Sequence, residues 1–250
     1  MEGEKVFFEC EKITKNFGGL RALSEVSFEV SKKEIVGIMG PNGAGKTTLF
    51  NIISGMLKPS SGTFTLDGNG LLNLRPYMIC KMGIGRTYQT VRPFLGFTAL
   101  QNVVAGVLFG KGEESSTKRV AEEKAAELLR FVSLDGKEKV LANNLNLVER
   151  KKVELARALA TNPKLILLDE ILSGLNPGEL ESSMLLIKKI RDDLSITVMW
   201  IEHIMKALMG VCERVIVLHY GKKIAEGSPR EISTNTDVNE IYLGRGTNSR

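Results

Sequence analysis

Gly40 to Thr47, GPNGAGKT, matches the pattern G-x-x-x-x-G-K-[ST]. Glycines at this spacing let successive backbone N–H groups converge on phosphate oxygens without a Cβ in the way. A continuous apolar run, EIVGIMG (34–40), precedes the motif, and the helical pattern TTLFNIIS follows it, closing at Gly55. A helix N-terminus reached from a buried strand adds its partial positive charge to those N–H groups. In that setting Lys46 would reach the β- and γ-phosphates and the Thr47 hydroxyl would hold Mg²⁺. The candidate nucleotide-binding residues are Gly40, Pro41, Asn42, Gly43, Ala44, Gly45, Lys46, Thr47 and Thr48. The competing reading is a glycine-rich turn with an accidental lysine.

Three further stations carry chemistry that suits a nucleotide. LILLDE (165–170) is an apolar run ending on two carboxylates. Asp169 can hold Mg²⁺ through water, and Glu170, one step on, can act as general base toward an attacking water. The other reading of the pair is two solvated charges opening a loop. Gln89 follows the strand-like GIGRT (83–87), where an amide could ligate Mg²⁺ and sense a γ-phosphate; an isolated glutamine says nothing by itself. His203, one of two histidines, follows ITVMWIE. A lone histidine is more often structural than functional, but strand ends are where open α/β sheets bind ligands.

The elements that must position these groups are legible as pattern. Val26, Phe28 and Val30 alternate with Ser27 and Glu29, as in a half-buried antiparallel strand, and residues 1–88 read as strand-rich. From about 95 to 160 the reading is helical: Val120, Ala121, Ala125, Leu128, Leu129 and Val132 form one stripe, stopped by Asp135-Gly136. The polar KGEESSTKR (111–119) reads as a surface loop. Strands return at LILLD (165–169), at ITVMWI (196–201) and in RVIVLHYGKKIAEG (214–227), a hairpin turning at Tyr220-Gly221. The expectation is an α/β core interrupted by a helical insert.

Composition narrows the class. The chain has 250 residues and is 43% hydrophobic, enough for a sizeable core. Its 34 Lys and Arg against 29 Asp and Glu give a net charge of +5, spread in short clusters that read either as solvated surface or as a weak pull on an anionic partner. Cys10, Cys80 and Cys212 are far apart and odd in number, which argues against a disulfide framework or a zinc site and fits a reducing compartment. MEGEKVFFECEK offers no apolar leader segment, and no apolar run approaches the roughly 18 residues that span a bilayer. Any membrane role is expected to be peripheral.

Taken in order, these stations resemble the nucleotide-binding subunits of ATP-binding cassette (ABC) transporters, over about Val6 to Gly244. Within them the resemblance is to ATPase subunits of branched-chain amino acid (LIV-type) importers. It rests on ITKNFGGLRALSEVSFEV, GPNGAGKTTLFNIISG, GIGRTYQTVRPF, ARALATNPKLILLDE, SGLNPGE, IEHIMKALMGVCERVIVLHYGKKIAEGSP and the terminal EIYLG. Urea-type and other polar-solute importers share much of this pattern. The resemblance implies an α/β P-loop NTPase core of ABC type with an N-terminal antiparallel β subdomain and an inserted α-helical subdomain. Residues 1–250 would form a single nucleotide-binding domain: β plus P-loop core over 1–88, helical subdomain over 89–160, core return over 161–230 and a C-terminal extension over 231–250.

Roles follow from the same resemblance. Phe17 would stack on adenine, its alternative being a core aromatic. Gln89 would join Thr47 and Asp169 at Mg²⁺ and link the γ-phosphate to the helical insert. His203 would contact that phosphate, alongside the base Glu170. Ser173, Gly174, Leu175 and Asn176 would form the loop that crosses to a second subunit. Two departures stand out. The signature motif, LSGGQ or LSYGQ in the family, falls on LNLVE, so that serine becomes Asn146, Leu147 follows, glycine becomes Val148 and glutamine becomes Glu149. Ile171 stands where the family usually has proline. Val148 puts a branched Cβ where bare backbone is needed, and Glu149 would set a carboxylate toward a partner's γ-phosphate.

The function so implied is ATP binding and hydrolysis, with ATP and Mg²⁺ as cofactors, powering import of a small polar solute, most plainly branched-chain amino acids. The partners implied are a second ABC ATPase subunit in a heterodimer (or homodimer), integral membrane permease subunits gripped partly by VRPFLGFTAL (91–100), and indirectly a solute-binding protein; no nucleic acid is expected. The location implied is cytoplasmic, on the inner face of the cell membrane. The alternatives are a soluble ABC ATPase acting on nucleic acid or ribosomes, and a regulatory nucleotide-binding subunit with a degenerate signature.

Overall fold

The alternation around Phe28 is realised as a strand: Val26, Phe28 and Val30 are buried and Ser27 and Glu29 are not. In this computed structural model, which describes residues 6–110 and 117–243, the chain begins with an antiparallel pair, β1 (Phe8–Phe17) and β2 (Leu20–Val30). β3 (Ile35–Met39) is buried at all five positions, as its unbroken apolar run requires. It feeds α1 (Lys46–Ile53), which ends at Ser54 with Gly55 at φ 74. β4 (Ser61–Leu66) pairs with β1, and β5 (Asn69–Gly70) pairs with β4.

The chain then runs through α2 (Pro76–Met82), β6 (Ile84–Arg86), α3 (Ala99–Phe109), α4 (Lys118–Phe131), a 3₁₀ turn at Ala142–Asn144 and α5 (Leu147–Ala160). It continues with β7 (Leu165–Asp169), α6 (Pro177–Asp192), β8 (Thr197–Ile201), α7 (Met205–Val211), β9 (Arg214–His219), β10 (Lys222–Gly227), α8 (Pro229–Thr234) and α9 (Thr236–Leu243). Of the six residues of the predicted stripe on α4 and its C-cap, Ala121, Ala125, Leu129 and Val132 are buried, whereas Val120 and Leu128 are intermediate. Of the predicted loop 111–119, residues 111–116 and the terminal Gly244 of EIYLG lie outside the described residues. Lys118 and Arg119 open α4, because Thr117 caps it by accepting the Val120 N–H.

Two units divide the chain: one joins the segment up to Leu74 with that from Thr197 onward, and the other is Arg75–Ile196. The first holds an antiparallel sheet ordered β2-β1-β4-β5 and the strands β10-β9-β3-β8, in which β3 is parallel to both β8 and β9. β9 and β10 form the expected hairpin, its turn made by Tyr220 at φ 46 and Gly221 at φ 74. The second unit holds the parallel pair β6 and β7 and a cluster of α3, α4 and α5. Two of its helices are not visible in the sequence as hydrophobic stripes, α2 and α6; both begin on Pro at the first turn, and α6 also carries the capping pair Asn176 and Glu179. The three cysteines are free, and burial raises the thiol of Cys212 to about 12.

Candidate functional site

The phosphate loop lies between β3 and α1. Gly43 and Gly45 take φ values of 80 and 103, a region that side chains with a Cβ rarely adopt. At Gly45 a Cβ would come within 2.7 Å of the Ala22 carbonyl, whereas at Gly43 it would meet nothing within 4 Å, so Gly43 borders open space. Lys46 is buried, its ammonium donating to the Gly40 carbonyl at 2.6 Å and the Pro41 carbonyl at 3.0 Å. It lies across the loop that the sequence assigns it to. The N-terminus of α1 has no side-chain cap and no acidic residue in its first turn. A helix start left bare behind a glycine loop offers its N–H groups to an anion. Thr47 is exposed at that start, beside the half-buried Thr48.

In the second unit β7 delivers the paired carboxylates. Asp169, 1% exposed, receives the Arg86 guanidinium at 3.2 Å, and its N–H donates to the Thr87 hydroxyl at 3.2 Å. Arg86 sits on β6, alongside β7, so the parallel pairing itself brings the cation to the carboxylate. Glu170, the next residue, has φ 50, a left-handed conformation costly for a residue with a side chain. Its carboxylate accepts the Gln89 side-chain N–H at 2.7 Å. The structure thus joins two of the residues singled out by sequence, 81 positions apart. Within this unit the side-chain oxygens of Gln89 and Asp169 are hard donors, the type Mg²⁺ prefers; the Thr47 hydroxyl of the other unit is a donor of the same type. Among the described residues no group of three or more His, Cys, Asp and Glu is placed to hold a metal ion.

In the first unit His203 is exposed just beyond the end of β8, its N–H donating to the Glu202 carboxylate at 3.0 Å. Phe17 is 45% exposed with the Lys15 ammonium 5.0 Å from its ring centre, which removes the core-aromatic reading.

Residues 23–173 match the family described as ABC transporter. The chain belongs to the ABC transporter family. It is 36% identical to the high-affinity branched-chain amino acid transport ATP-binding protein BraF of Pseudomonas aeruginosa, over 94% of this chain and 97% of that one. It is 38% identical to LivG of Salmonella typhimurium, which carries the same description, over 91% and 94%. Among solved structures it superposes on the ADP conformation of MJ1267, an ATP-binding cassette of an ABC transporter, with a TM-score of 0.85, 32% identity and coverage of 96% and 99%. The mixed α/β architecture is that of an ABC cassette.

The segment Asn146 to Glu149, which the resemblance reads as an altered signature, forms the start of α5. Asn146 is the N-cap: its side chain accepts the Glu149 N–H at 2.9 Å, and Glu149 accepts the Asn146 N–H at 2.9 Å. Glu149 also lies 3.2 Å from the Lys137 ammonium. The cap bond to Asn146, followed by Lys137 and Lys152, holds its carboxyl below the usual range. The carboxylate that the resemblance sets toward a partner's γ-phosphate is here bonded back to the start of its own helix. Leu147 is 55% exposed and Val148 half-buried beside it.

Ser173 to Asn176 lead into α6, with Gly174 at φ 76 and Asn176 capping the helix against Glu179. Lys151 on α5 ties this loop down, donating to the Ser173 hydroxyl at 2.9 Å and to the carbonyls of Ile171 and Ser173. A cleft of about 630 Å³ lies between the two capped helix starts, lined in part by Asn146, Glu149, Asn176 and Glu179.

Sequence reasoning misses Arg86, Lys137, Glu154 and Arg157. Arg86 lies within GIGRT, and its place in that strand-like run is the signal that could have found it. Glu154 and Arg157, three apart on α5, give none beyond a charged pair on an amphipathic helix.

Proposed function

We propose that this chain is the ATP-binding and hydrolysing subunit that powers import of a small polar solute, branched-chain amino acids in the first instance. The observation that carries the reading is the bare start of α1 behind the glycine loop with Lys46 lying across it, in a chain matching BraF and LivG over more than nine-tenths of its length. Gly40 to Thr48 would cradle the phosphates, with Phe17 against adenine. Thr47, Asp169 and Gln89 would hold Mg²⁺, which neutralises phosphate charge. Glu170 would take the proton of the attacking water, its side chain held by Gln89. His203 would contact the γ-phosphate.

No helix among the described residues is long and apolar enough to cross a membrane. Coupling to transport therefore calls for separate permease subunits, with the chain docked at the inner face of the membrane. Phe94, Leu95 and Phe97, each about half exposed in the segment after Gln89, are the surface for that contact. The second ATPase subunit is proposed to differ from this one, because α5 starts with its phosphate-facing groups already satisfied.

The test is reconstitution. The chain, co-expressed with its neighbouring permease, partner ATPase and solute-binding genes, should drive ATP-dependent uptake of labelled leucine into proteoliposomes. ATP hydrolysis that no amino acid stimulates, with uptake of another polar solute instead, would keep the ATPase and move the substrate. Salt-sensitive binding of RNA with no uptake would replace the reading by the ribosome-associated alternative.

A further inference from the structure

Glu154 is a carboxylate only 3% exposed, on the inner face of α5, and nothing in the hydrolytic scheme uses it. Each of its oxygens accepts a backbone N–H from one short segment: Oε1 from Tyr88 at 3.1 Å and Oε2 from Arg92 at 3.3 Å. These two residues flank Gln89. One turn further along α5, Arg157 donates to the Arg92 carbonyl at 2.9 Å and lies 5.0 Å from the centre of the Phe94 ring. Arg92 therefore has both its N–H and its C=O held by side chains of α5. Burying a carboxylate is costly unless its oxygens are bonded, and a backbone N–H is among the few neutral donors that fix direction as well as distance. All of these residues belong to one compact unit.

We infer that Glu154 and Arg157 are positioning residues for ATP hydrolysis: they lock the segment Tyr88–Phe94 to α5, so that a shift of α5 is delivered to Gln89 and through it to Glu170. The inference rests on the reading of Glu170 as the base. At one end of the locked segment Gln89 donates to Glu170 at 2.7 Å; at the other, Phe94 and Leu95 are about half exposed. Asn102, fully buried, holds that second end by accepting the Phe94 N–H at 2.8 Å and donating to the Phe94 carbonyl at 3.1 Å. The segment is thus held along its length by side chains of α3 and α5, and a push on its aromatic end or on the start of α5 reaches the base by the same connection.

The experiment compares Glu154→Gln with the parent in the reconstituted transporter and in amide exchange on the chain itself. The substitution keeps the shape but turns one of two acceptors into a donor facing an N–H. Exchange at the Tyr88 or Arg92 amide should quicken about tenfold or more, the worth of a hydrogen bond to a charged group. The transporter's kcat should fall by a similar factor while the KM for ATP stays within about twofold. Arg157→Lys, which keeps the charge but loses the planar fork, should move kcat the same way and supplies the test if Glu154→Gln does not fold. Parental kcat with quickened exchange would overturn the inference, as would a rise in KM and fall in melting temperature with exchange unchanged. Glu170→Gln is measured alongside: if it is inactive while Glu154→Gln is parental, only this inference fails; if it turns over normally, the base assignment fails first.

Discussion

Asn146 and Glu149 cap each other at the start of α5, each side chain accepting the other's backbone N–H at 2.9 Å. The start of α1 has no such cap. Both are helix N-termini with the same intrinsic affinity for anions. The difference lies in the capping of the first turn: at α1 no side chain accepts its N–H groups, whereas at α5 the chain supplies its own oxygens and adds a negative charge. An amphipathic pattern alone does not distinguish the two, whereas N-x-x-E in front of the helix does.

The cap should be measurable as stability. Asn146→Ala is expected to cost about 1 kcal/mol in chemical denaturation. The charge on Glu149 adds a pH-dependent part. Its carboxyl is held low in the fold by the cap bond first and by Lys137 next, so its stabilisation is fully present above the ordinary carboxylate range and is lost as pH falls through the lowered value. The melting-temperature gap between parent and Glu149→Gln should therefore be constant near neutrality and close on acidification below about pH 4. A gap that widens on acidification would reverse the sign and remove the assignment.

Lys46→Ala should lose most ATP affinity, by about ten- to a hundredfold, since it removes the ammonium that would trade the Gly40 and Pro41 carbonyls for phosphate oxygens. Calorimetric titration with ATP checks it. Equal affinity in mutant and parent would mean that the loop does not hold the nucleotide.

How far the sequence carries the fold depends on how local each signal is. β3 and β7 are legible because a strand buried on both faces must be an unbroken apolar run. The phosphate loop is legible because its glycines answer to backbone geometry, independent of the rest of the chain. Gln89 and Glu170 can be named separately, but their hydrogen bond spans 81 positions and no spacing rule connects them. Glu154 is opaque for the same reason: its partners are backbone N–H groups more than 60 residues away, and a backbone donor leaves no residue type to read. Helix α6 is hidden because only Ile187 and Ile190 on it are buried, too few to form a stripe.

Glu170→Gln keeps the contact with Gln89 but removes the proton acceptor. Nucleotide binding should survive and turnover should fall by about 10²-fold or more, on the usual scale of general-base catalysis. Phosphate release under ATP saturation decides it. A variant turning over at the parental rate would assign the base to another group.

The closed start of α5 sets the last expectation. The resemblance implies that a signature acts on the ATP held by the opposite subunit, in which case Asn146 to Glu149 would weaken only the site on the partner's phosphate loop. The site that uses Lys46, Asp169 and Glu170 of this chain would take its signature from the partner. In a heterodimer one site would be competent and one weak; a homodimer of this chain would have two weak ones and very low ATPase activity. The triple variant Asn146→Ser, Val148→Gly, Glu149→Gln removes the added charge and the branched Cβ, and frees the first-turn donors for a γ-phosphate. It should raise the homodimer's turnover, provided that its α5 still folds, which circular dichroism and melting temperature establish in the same preparation. Loss of the Lys137–Glu149 ion pair costs little there, since both side chains are partly exposed. Brisk turnover by the purified parent chain would count against the argument. So would a transporter in which Glu170→Gln is harmless while the partner subunit's own base is essential, because the intact site would then lie on the other side of the dimer.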